Sequence, residues 1–237
     1  MSAATKSFRQ VLFGICRRVD KDVPTDTRTT AHFGEFINSA VKLAWEYYPW
    51  PERLKLQSEA LQAHPDIAGA RYIPRLTASR HIALLSNLFS ACPLVSSSFQ
   101  AIPFTERADG FYVHPACSWE TVWLDYRAAP PEFTSDLHDP DETYEAASLV
   151  WEGQVNGLGH VFKALQNVPA ATALSNAEYW EAVTIPARLS EAVMAGAIGA
   201  FHASEGNHGT ARVKLEYMQD LIEHEIIQIT SQSGRNS

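Results

Sequence analysis

Apolar side chains recur at helical spacing near both ends of the 237-residue chain. The clearest stripe covers residues 33–48, where apolar positions follow every three or four residues and polar side chains fall between them. A similar stripe over residues 8–19 predicts a helix before it. Residues 186–204, which open on a proline and stop before a glycine, and residues 210–230 predict two more helices. We therefore expect one pair of helices near each end of the chain.

The middle of the chain has a different pattern, with short apolar stretches separated by glycine and proline, and this is typical of strands. In the best example Val122, Leu124 and Tyr126 alternate with residues of the opposite face. The dipeptide at Asp109 and Gly110 suits a hairpin turn, and the connections are too short for helical crossovers, so we expect antiparallel pairing. The predicted strands are residues 81–89, 98–104, 110–114 and 120–128, followed by 148–153, 160–165 and 179–183.

Neither helix pair can bury an apolar face alone, so we expect the two pairs to pack together. The expected fold class is α+β, with a helical bundle formed by the N- and C-terminal helix pairs and an inserted antiparallel β domain. The expected domains are 1–58 plus 184–237 for the bundle, 59–139 for a β-rich insertion and 140–183 for a small β module. Small residues four positions apart on the third helix allow close helix packing. The expected helix-packing residues are Phe36, Val41, Trp45, Ala192, Gly196 and Ala200.

Composition narrows the classes of function. The formal net charge of −8 and the pI of about 5.6 disfavour a general nucleic-acid binder, which needs a basic face. No apolar run is long enough to span a bilayer, and the first residues lack the pattern of a signal peptide, so we expect no membrane association. Three widely spaced cysteines form no disulfide framework, which favours assembly in a cytoplasm.

Known catalytic and metal-binding motifs are missing from the sequence. No glycine-rich nucleotide loop or nucleophile elbow occurs, and His224-Glu225 lacks the second histidine of a zinc helix because Gln228 stands there. His114 and Cys117 have no second ligand pair. We therefore expect no catalytic residues, metal or cofactor, and a protein that is not an enzyme.

An acidic connector before residue 146 is the main place where chemistry remains open. We interpret it as a hydrated loop, with a divalent-cation site and an uncharted hydrolase as alternatives. Its carboxylates are Glu132, Asp136, Asp139, Asp141, Glu142 and Glu145.

Several segments resemble tailed-phage head-to-tail adaptor proteins, also called connector or head completion proteins. The segments are FGEFINSAVKLAWEYYPWPE, with its aromatic and proline-rich turn, IPFTERADGFYVHPACSWETVWLDYRAAPPEFT, with its hairpin and following strand, and IPARLSEAVMAGAIGAFHASEGNHGTARVKLEYMQDLIEHEI. Residues 144–183 resemble a small β module that some members carry, and also small chitin-binding-type carbohydrate modules. Residues 163–177 are rich in Ala and Val, which departs from the exposed aromatics of such modules.

The resemblance implies a structural protein that catalyses no reaction. Members form a ring, usually of twelve copies, beneath the capsid portal; they extend the DNA channel and carry the stopper or tail. The implied partners are the portal protein, the stopper or tail proteins, other copies of the chain, and genomic DNA that passes without sequence-specific binding. The implied location is the capsid–tail neck of a virion assembled in the host cytoplasm. An acidic channel wall fits this role because a basic lining would hold phosphates.

The C-terminal segment, residues 226–237, is apolar and then polar, and it could become ordered on docking to the portal. The expected portal-docking residues are Ile226, Ile227, Ile229, Gln232 and Arg235. The alternative function is a carbohydrate-binding accessory protein of a phage tail or particle, and it depends on residues 144–183 alone.

Overall fold

The structure is a computed structural model that describes residues 5–74, 76–77, 80–114, 117–153 and 159–233. Within these residues the helices are α1 (Phe8–Arg18), α2 (Thr27–Tyr47), α3 (Ala187–Ser204) and α4 (His208–Ser233). The strands are β1 (Thr5–Ser7), β2 (Leu54–Ala60), β3 (Gln62–Ala63), β4 (Arg71–Pro74), β5 (Leu76–Thr77), β6 (Arg80–Phe89), β7 (Phe104–Glu106), β8 (Gly110–Val113), β9 (Thr121–Ala128), β10 (Leu149–Trp151), β11 (Val161–Ala164) and β12 (Trp180–Pro186). All four predicted helices are present.

The described strands form three sheets of four strands each, and every pairing within them is antiparallel. The orders are β1-β12-β11-β10, β2-β9-β6-β5 and β3-β4-β8-β7. The hairpin predicted at Asp109 and Gly110 is confirmed, since β7 and β8 pair across it. The strand predicted over residues 98–104 is wrong in position: β7 starts only at Phe104, and Ala101 forms an isolated bridge with Phe89.

The expected fold class is wrong. The chain is not a bundle of N- and C-terminal helix pairs with one inserted β domain, because strands occur from β1, before α1, to β12, directly before α3. β1 pairs with β12, with Thr5 opposite Pro186 and Ser7 opposite Thr184. Strands of three residues, such as β1, are too short for a two-residue alternation to reveal them, so sequence patterning assigned the N-terminal segment to helix alone.

The chain divides into two compact units. The first contains Met1–Tyr48 and Pro130–Ser237, and the second is Pro49–Ala129. The first unit therefore holds all four described helices and the β1-β12-β11-β10 sheet, including the segment expected to be a separate small module. The second unit holds the other two described sheets.

Helix α3 is the best-buried described helix of the first unit. Eleven of its 18 residues are buried, and it packs against α1, α2 and α4. The N-terminus of α1 is fixed by a capping box, in which the Ser7 hydroxyl accepts from the Gln10 N–H and the Gln10 side chain accepts from the Ser7 N–H. The Asp26 carboxylate caps α2 by accepting from the Thr29 N–H at 2.8 Å. These caps set where the helices begin and hence which faces reach α3.

The second unit has its own apolar core, to which the inward faces of its two described sheets contribute. Strand β9 supplies Val122, Leu124 and Tyr126, the three residues whose alternation predicted the strand. The other buried residues of this core are Leu61, Ile73, Ile82, Leu85, Leu88, Ile102, Phe111 and Val113.

Candidate functional site

Gly196 of α3 marks a close approach of helices in the first unit. A Cβ atom at this position would lie 2.5 Å from the Met218 Sδ of α4 and 3.0 Å from the Ala40 Cβ of α2. Both distances are shorter than ordinary van der Waals contact, so α2 and α4 approach α3 at a point where only a hydrogen atom fits. Ala192 is buried on the same helix, whereas Ala200 is half-buried.

The helix-packing residues expected on α2 also lie in the first unit's interior or at its margin. Val41 and Trp45 are buried, and Phe36 is half-buried with its ring centroid 6.4 Å from that of Phe201. Phe201 also stacks on Phe33 at 5.8 Å. The small-residue and aromatic patterns therefore serve packing within one chain.

Four of the five expected portal-docking residues fall in the last part of α4. Beyond Ile222, none of the α4 residues whose side chains the structure describes is buried. Ile227 is 64% exposed, and Ile226 and Ile229 are half-buried. The Gln232 backbone belongs to the last turn of α4, its side chain lies outside the described part of the structure, and Arg235 lies outside the described residues altogether.

Two further parts of α4 add to its exposed apolar surface. Val213 and Tyr217, one helical turn apart, are 60% and 49% exposed, and Leu215 is 40% exposed. Acidic residues accompany them, because Glu216, Asp220 and Glu223 are all exposed. The Glu216 carboxylate accepts from the Arg212 guanidinium at 2.8 Å. The described part of α4 thus presents apolar and acidic groups to its surroundings.

The aromatic residues of the small β module form an interior cluster. Trp180 is 3% exposed and belongs to a buried core with Val150, Ala164 and Val168. The His138 ring stacks on Tyr144 at 5.6 Å and meets the edge of Trp180 at the same distance. Burial lowers the pKa of His138, so the neutral imidazole is favoured there. These rings stabilise the module and are not arranged as an open platform for a sugar.

The acidic connector carries six carboxylates. All six are exposed. The Asp139 carboxylate accepts from the Asp141 N–H at 2.9 Å, while the Tyr144 hydroxyl donates to the Asp139 carbonyl at 3.1 Å. In the part of the chain that the structure describes, no group of three or more His, Cys, Asp or Glu side chains is arranged to hold a metal ion. The hydrogen bond between Asp139 and Asp141 and the contact with Tyr144 stabilise this loop.

The other candidate ligands have local roles. The Cys117 N–H donates to the His114 carbonyl at 2.8 Å. The His224 and Gln228 side chains lie 2.8 Å apart on α4, one helical turn from each other. The cysteines are free, and burial raises the pKa of the Cys16 thiol to about 11.

A polar cluster in the second unit was missed by sequence reasoning. His64 Nε2 lies 3.2 Å from Asp109 Oδ2, and His64 Nδ1 accepts from the Asp66 N–H at 3.1 Å. The Tyr112 hydroxyl donates to the same Asp109 oxygen, and this hydrogen bond lowers the pKa of Asp109. Loss of hydration together with Asp109 raises the pKa of Tyr112 to about 12. Both imidazole nitrogens are engaged, so the cluster ties the β3–β4 loop to the β7–β8 turn.

The open grooves on the described surface include one in each unit. One, of about 420 Å³, is lined in the first unit by Ser7, Arg9, Gln10, Phe13 and His160. The other, of about 310 Å³, is lined in the second unit by Leu54, Lys55, Leu56, Phe89, Pro93, Leu94 and Asp125. Among the described residues, no helix has the length and apolar character needed to cross a bilayer.

No protein-family model matches the chain, and no curated protein sequence matches it either.

Proposed function

We propose that this protein is a structural adaptor of a phage particle neck, which assembles as a ring between the capsid portal and the stopper or tail and extends the DNA channel. The observation that carries the proposal is the exposed apolar surface of the last part of α4, where Ile227 is 64% exposed on a helix that has no buried described side chain after Ile222. Exposed apolar surface of this kind marks protein–protein contacts more often than catalysis.

The rest of the first unit supports a rigid mount for this helix. α4 is fixed to α3 at the Gly196 contact with Met218, which leaves no room for a Cβ atom. The three isoleucines at 226, 227 and 229 therefore extend from a closely packed base, and a helix presented in this way can dock into an apolar groove of a partner. We assign the portal protein as that partner on the resemblance of the sequence segments.

The charge of the chain supports a channel that does not retain DNA. The formal net charge is −8, and the acidic residues 216, 220 and 223 of α4 are exposed. Phosphates are repelled by such a surface, whereas a basic one would bind them through counterion release. DNA can therefore pass without sequence-specific contacts.

The alternative of a carbohydrate-binding accessory protein receives no such support. Stacking on a sugar face requires exposed aromatic rings, but Trp180 is 3% exposed and its neighbours Tyr144 and His138 pack against it. The acidic-connector hydrolase also lacks support, because general acid–base catalysis needs a desolvated carboxylate and all six connector carboxylates are exposed.

The test is to mix the purified chain with portal-bearing, DNA-filled capsids that lack it and to image the vertex by cryo-electron microscopy. We expect ring density beneath the portal with the wild-type chain and its loss with Ile227→Asp. Ile67→Asp is the matched control, because Ile67 is also exposed (46%) but belongs to the second unit. Absence of a ring with the wild-type chain would refute the proposal. A ring unaffected by Ile227→Asp would remove α4 from the docking surface.

The polar end of the segment is tested separately. If Gln232 and Arg235 take part in docking, truncation after Thr230 should weaken capsid binding while the helical circular dichroism signal of α1 to α3 persists. Unchanged binding of the truncated chain would contradict their assignment.

A further inference from the structure

Strand β2 is an open edge of its sheet. It pairs with β9 along its whole length, and no strand covers its other side among the residues that the structure describes. The Ala128 N–H donates to the Arg53 carbonyl and the Leu61 N–H donates to the Glu120 carbonyl, each at 2.8 Å. Backbone groups of alternate residues face the same side of an antiparallel strand. The odd-numbered residues of β2 therefore bond to β9.

The backbone groups of the even-numbered residues consequently point to the open edge. Those of Leu56, Ser58 and Ala60 are available there, whereas the Leu54 N–H already donates to the Pro51 carbonyl at 3.2 Å. A row of such donors and acceptors is a template for another extended strand.

Apolar side chains extend this edge into a larger surface. Leu54 of β2 and Leu84 of β6 both stand opposite Arg127 of β9, on the face of the sheet away from the buried Leu124, and they are 45% and 42% exposed. Leu56 continues that face and lines the groove of about 310 Å³ with Leu94. An open strand edge beside exposed leucines is the surface that β-strand addition uses.

The charges of β2 are complementary to those of a second β2. An antiparallel pair centred on Gln57 would place Leu56 opposite Ser58 of the second copy, and both have backbone groups that face the open edge. The same register places Lys55 opposite Glu59 of the second copy, and by symmetry this pair occurs twice. Lys55 and Glu59 then occupy the non-hydrogen-bonded positions, where opposing side chains come closest. Sliding the register by two residues separates Lys55 from Glu59 of the second copy, because Lys55 then stands opposite Gln57 or Leu61.

We propose that a second copy of this chain binds at the open edge of β2, by antiparallel β2–β2 pairing centred on Gln57. The two second units then share one continuous eight-stranded sheet, with four strands from each copy. The contact is isologous and closes on itself, so it gives a dimer and cannot by itself give a ring. The proposal therefore concerns a solution form of the protein, and it stands or falls independently of the neck function.

The first test is sedimentation velocity of the full chain over a range of concentrations. We expect a concentration-dependent dimer that Lys55→Glu weakens by roughly 10- to 100-fold, because two attractive cross-strand pairs become repulsive. Glu59→Lys should act similarly, and the double variant, which exchanges the two charges, should restore dimerisation. Lys42→Glu is the matched control, since Lys42 is an exposed lysine of α2 in the first unit.

A second test concerns the backbone. Ser58→Pro removes an N–H that faces the open edge, so the β2–β9 ladder should persist while dimerisation is lost. In the wild-type chain, hydrogen exchange at the amides of Leu56, Ser58 and Ala60 should slow as concentration rises. A chain that stays monomeric at all concentrations would overturn the proposal, and so would a dimer that neither Ser58→Pro nor charge exchange affects. A strand from another protein would then be the occupant to seek.

Discussion

Replacement of Gly196 by alanine tests the helix contact on which the α4 surface depends. Alanine favours a helix interior over glycine by about 1 kcal/mol, so the change would stabilise an uncrowded helix. Here the new Cβ would lie 2.5 Å from Met218 Sδ and 3.0 Å from Ala40 Cβ, and overpacking of this kind costs typically about 1–3 kcal/mol. We expect a net loss of up to about 2 kcal/mol in the free energy of unfolding.

Gly209 provides the matched control. It lies in the first turn of α4, and beyond its chain neighbours and the nearby backbone of its own helix no heavy atom lies within 4 Å of a Cβ built on it. Gly209→Ala should therefore show the helical preference without the crowding and gain up to about 1 kcal/mol. The two variants are compared by urea unfolding followed by far-ultraviolet circular dichroism, whose helical signal reports on the first unit because all described helices belong to it.

The result that would refute the reasoning is a Gly196→Ala variant as stabilised as Gly209→Ala. A double-mutant cycle locates the clash: in a Met218→Ala background the cost of Gly196→Ala should shrink by about 1 kcal/mol, since contacting residues couple by about 0.5–3 kcal/mol. An unchanged cost in that background would place the strain at Ala40 instead.

Three further predictions concern single side chains. Burial lowers the pKa of His138, so below about pH 6.5 the unfolded chain takes up a proton more readily than the folded one, and the stability of the first unit should fall. Urea unfolding at several pH values should show this loss, and His138→Phe should remove it. Tyr112→Phe should raise the pKa of Asp109 towards its ordinary value of 3.8, because the hydroxyl donor is lost. NMR titration of the Asp109 carboxyl carbon measures this pKa. An unchanged pKa would assign the shift to other donors. Ser7→Ala should cost about 1 kcal/mol of stability in thermal or urea unfolding. Gln10→Ala should cost less, because the Ser7 hydroxyl still caps the helix. Equal stability of Ser7→Ala and wild type would contradict the capping box.

The helices could be predicted because their signals are local. α1 and α2 carry apolar stripes next to polar caps. α1 begins at Phe8, as predicted, whereas α2 begins at Thr27, before the stripe at residues 33–48. Strand β9 was equally visible, since Val122, Leu124 and Tyr126 all point into one core.

The pairing of distant segments could not be predicted in the same way. β1 joins β12 across most of the chain, and nothing within three residues marks such a partner. β2 was missed because its leucines face outward, so the usual link between apolar residues and a core does not hold there. The His64–Asp109 contact likewise joins residues 45 positions apart, and only the turn at Asp109 had a local signal.

The small-residue spacing of α3 includes Gly196, where helices approach closely, but spacing does not distinguish contacts within a chain from contacts between chains. The four-residue spacing of Ala192, Gly196 and Ala200 indicates a close approach, but the partner helices were identified only from the Met218 and Ala40 contacts. Spacing describes one face of one helix, and the identity of its neighbour depends on the rest of the fold.

The pairing of β1 with β12 has a consequence for the order in which the chain folds during synthesis. The second unit is continuous, so its sheets can form once Ala129 has left the ribosome. The first unit cannot complete its fold at that stage. Its N-terminal strand β1 has no partner until residues 180–186 emerge, and α1 and α2 cannot pack against α3 until that helix has emerged as well. The apolar faces of α1 and α2 therefore stay uncovered while more than a hundred residues are translated, and the first unit is the part of the nascent chain with the greatest need for a chaperone.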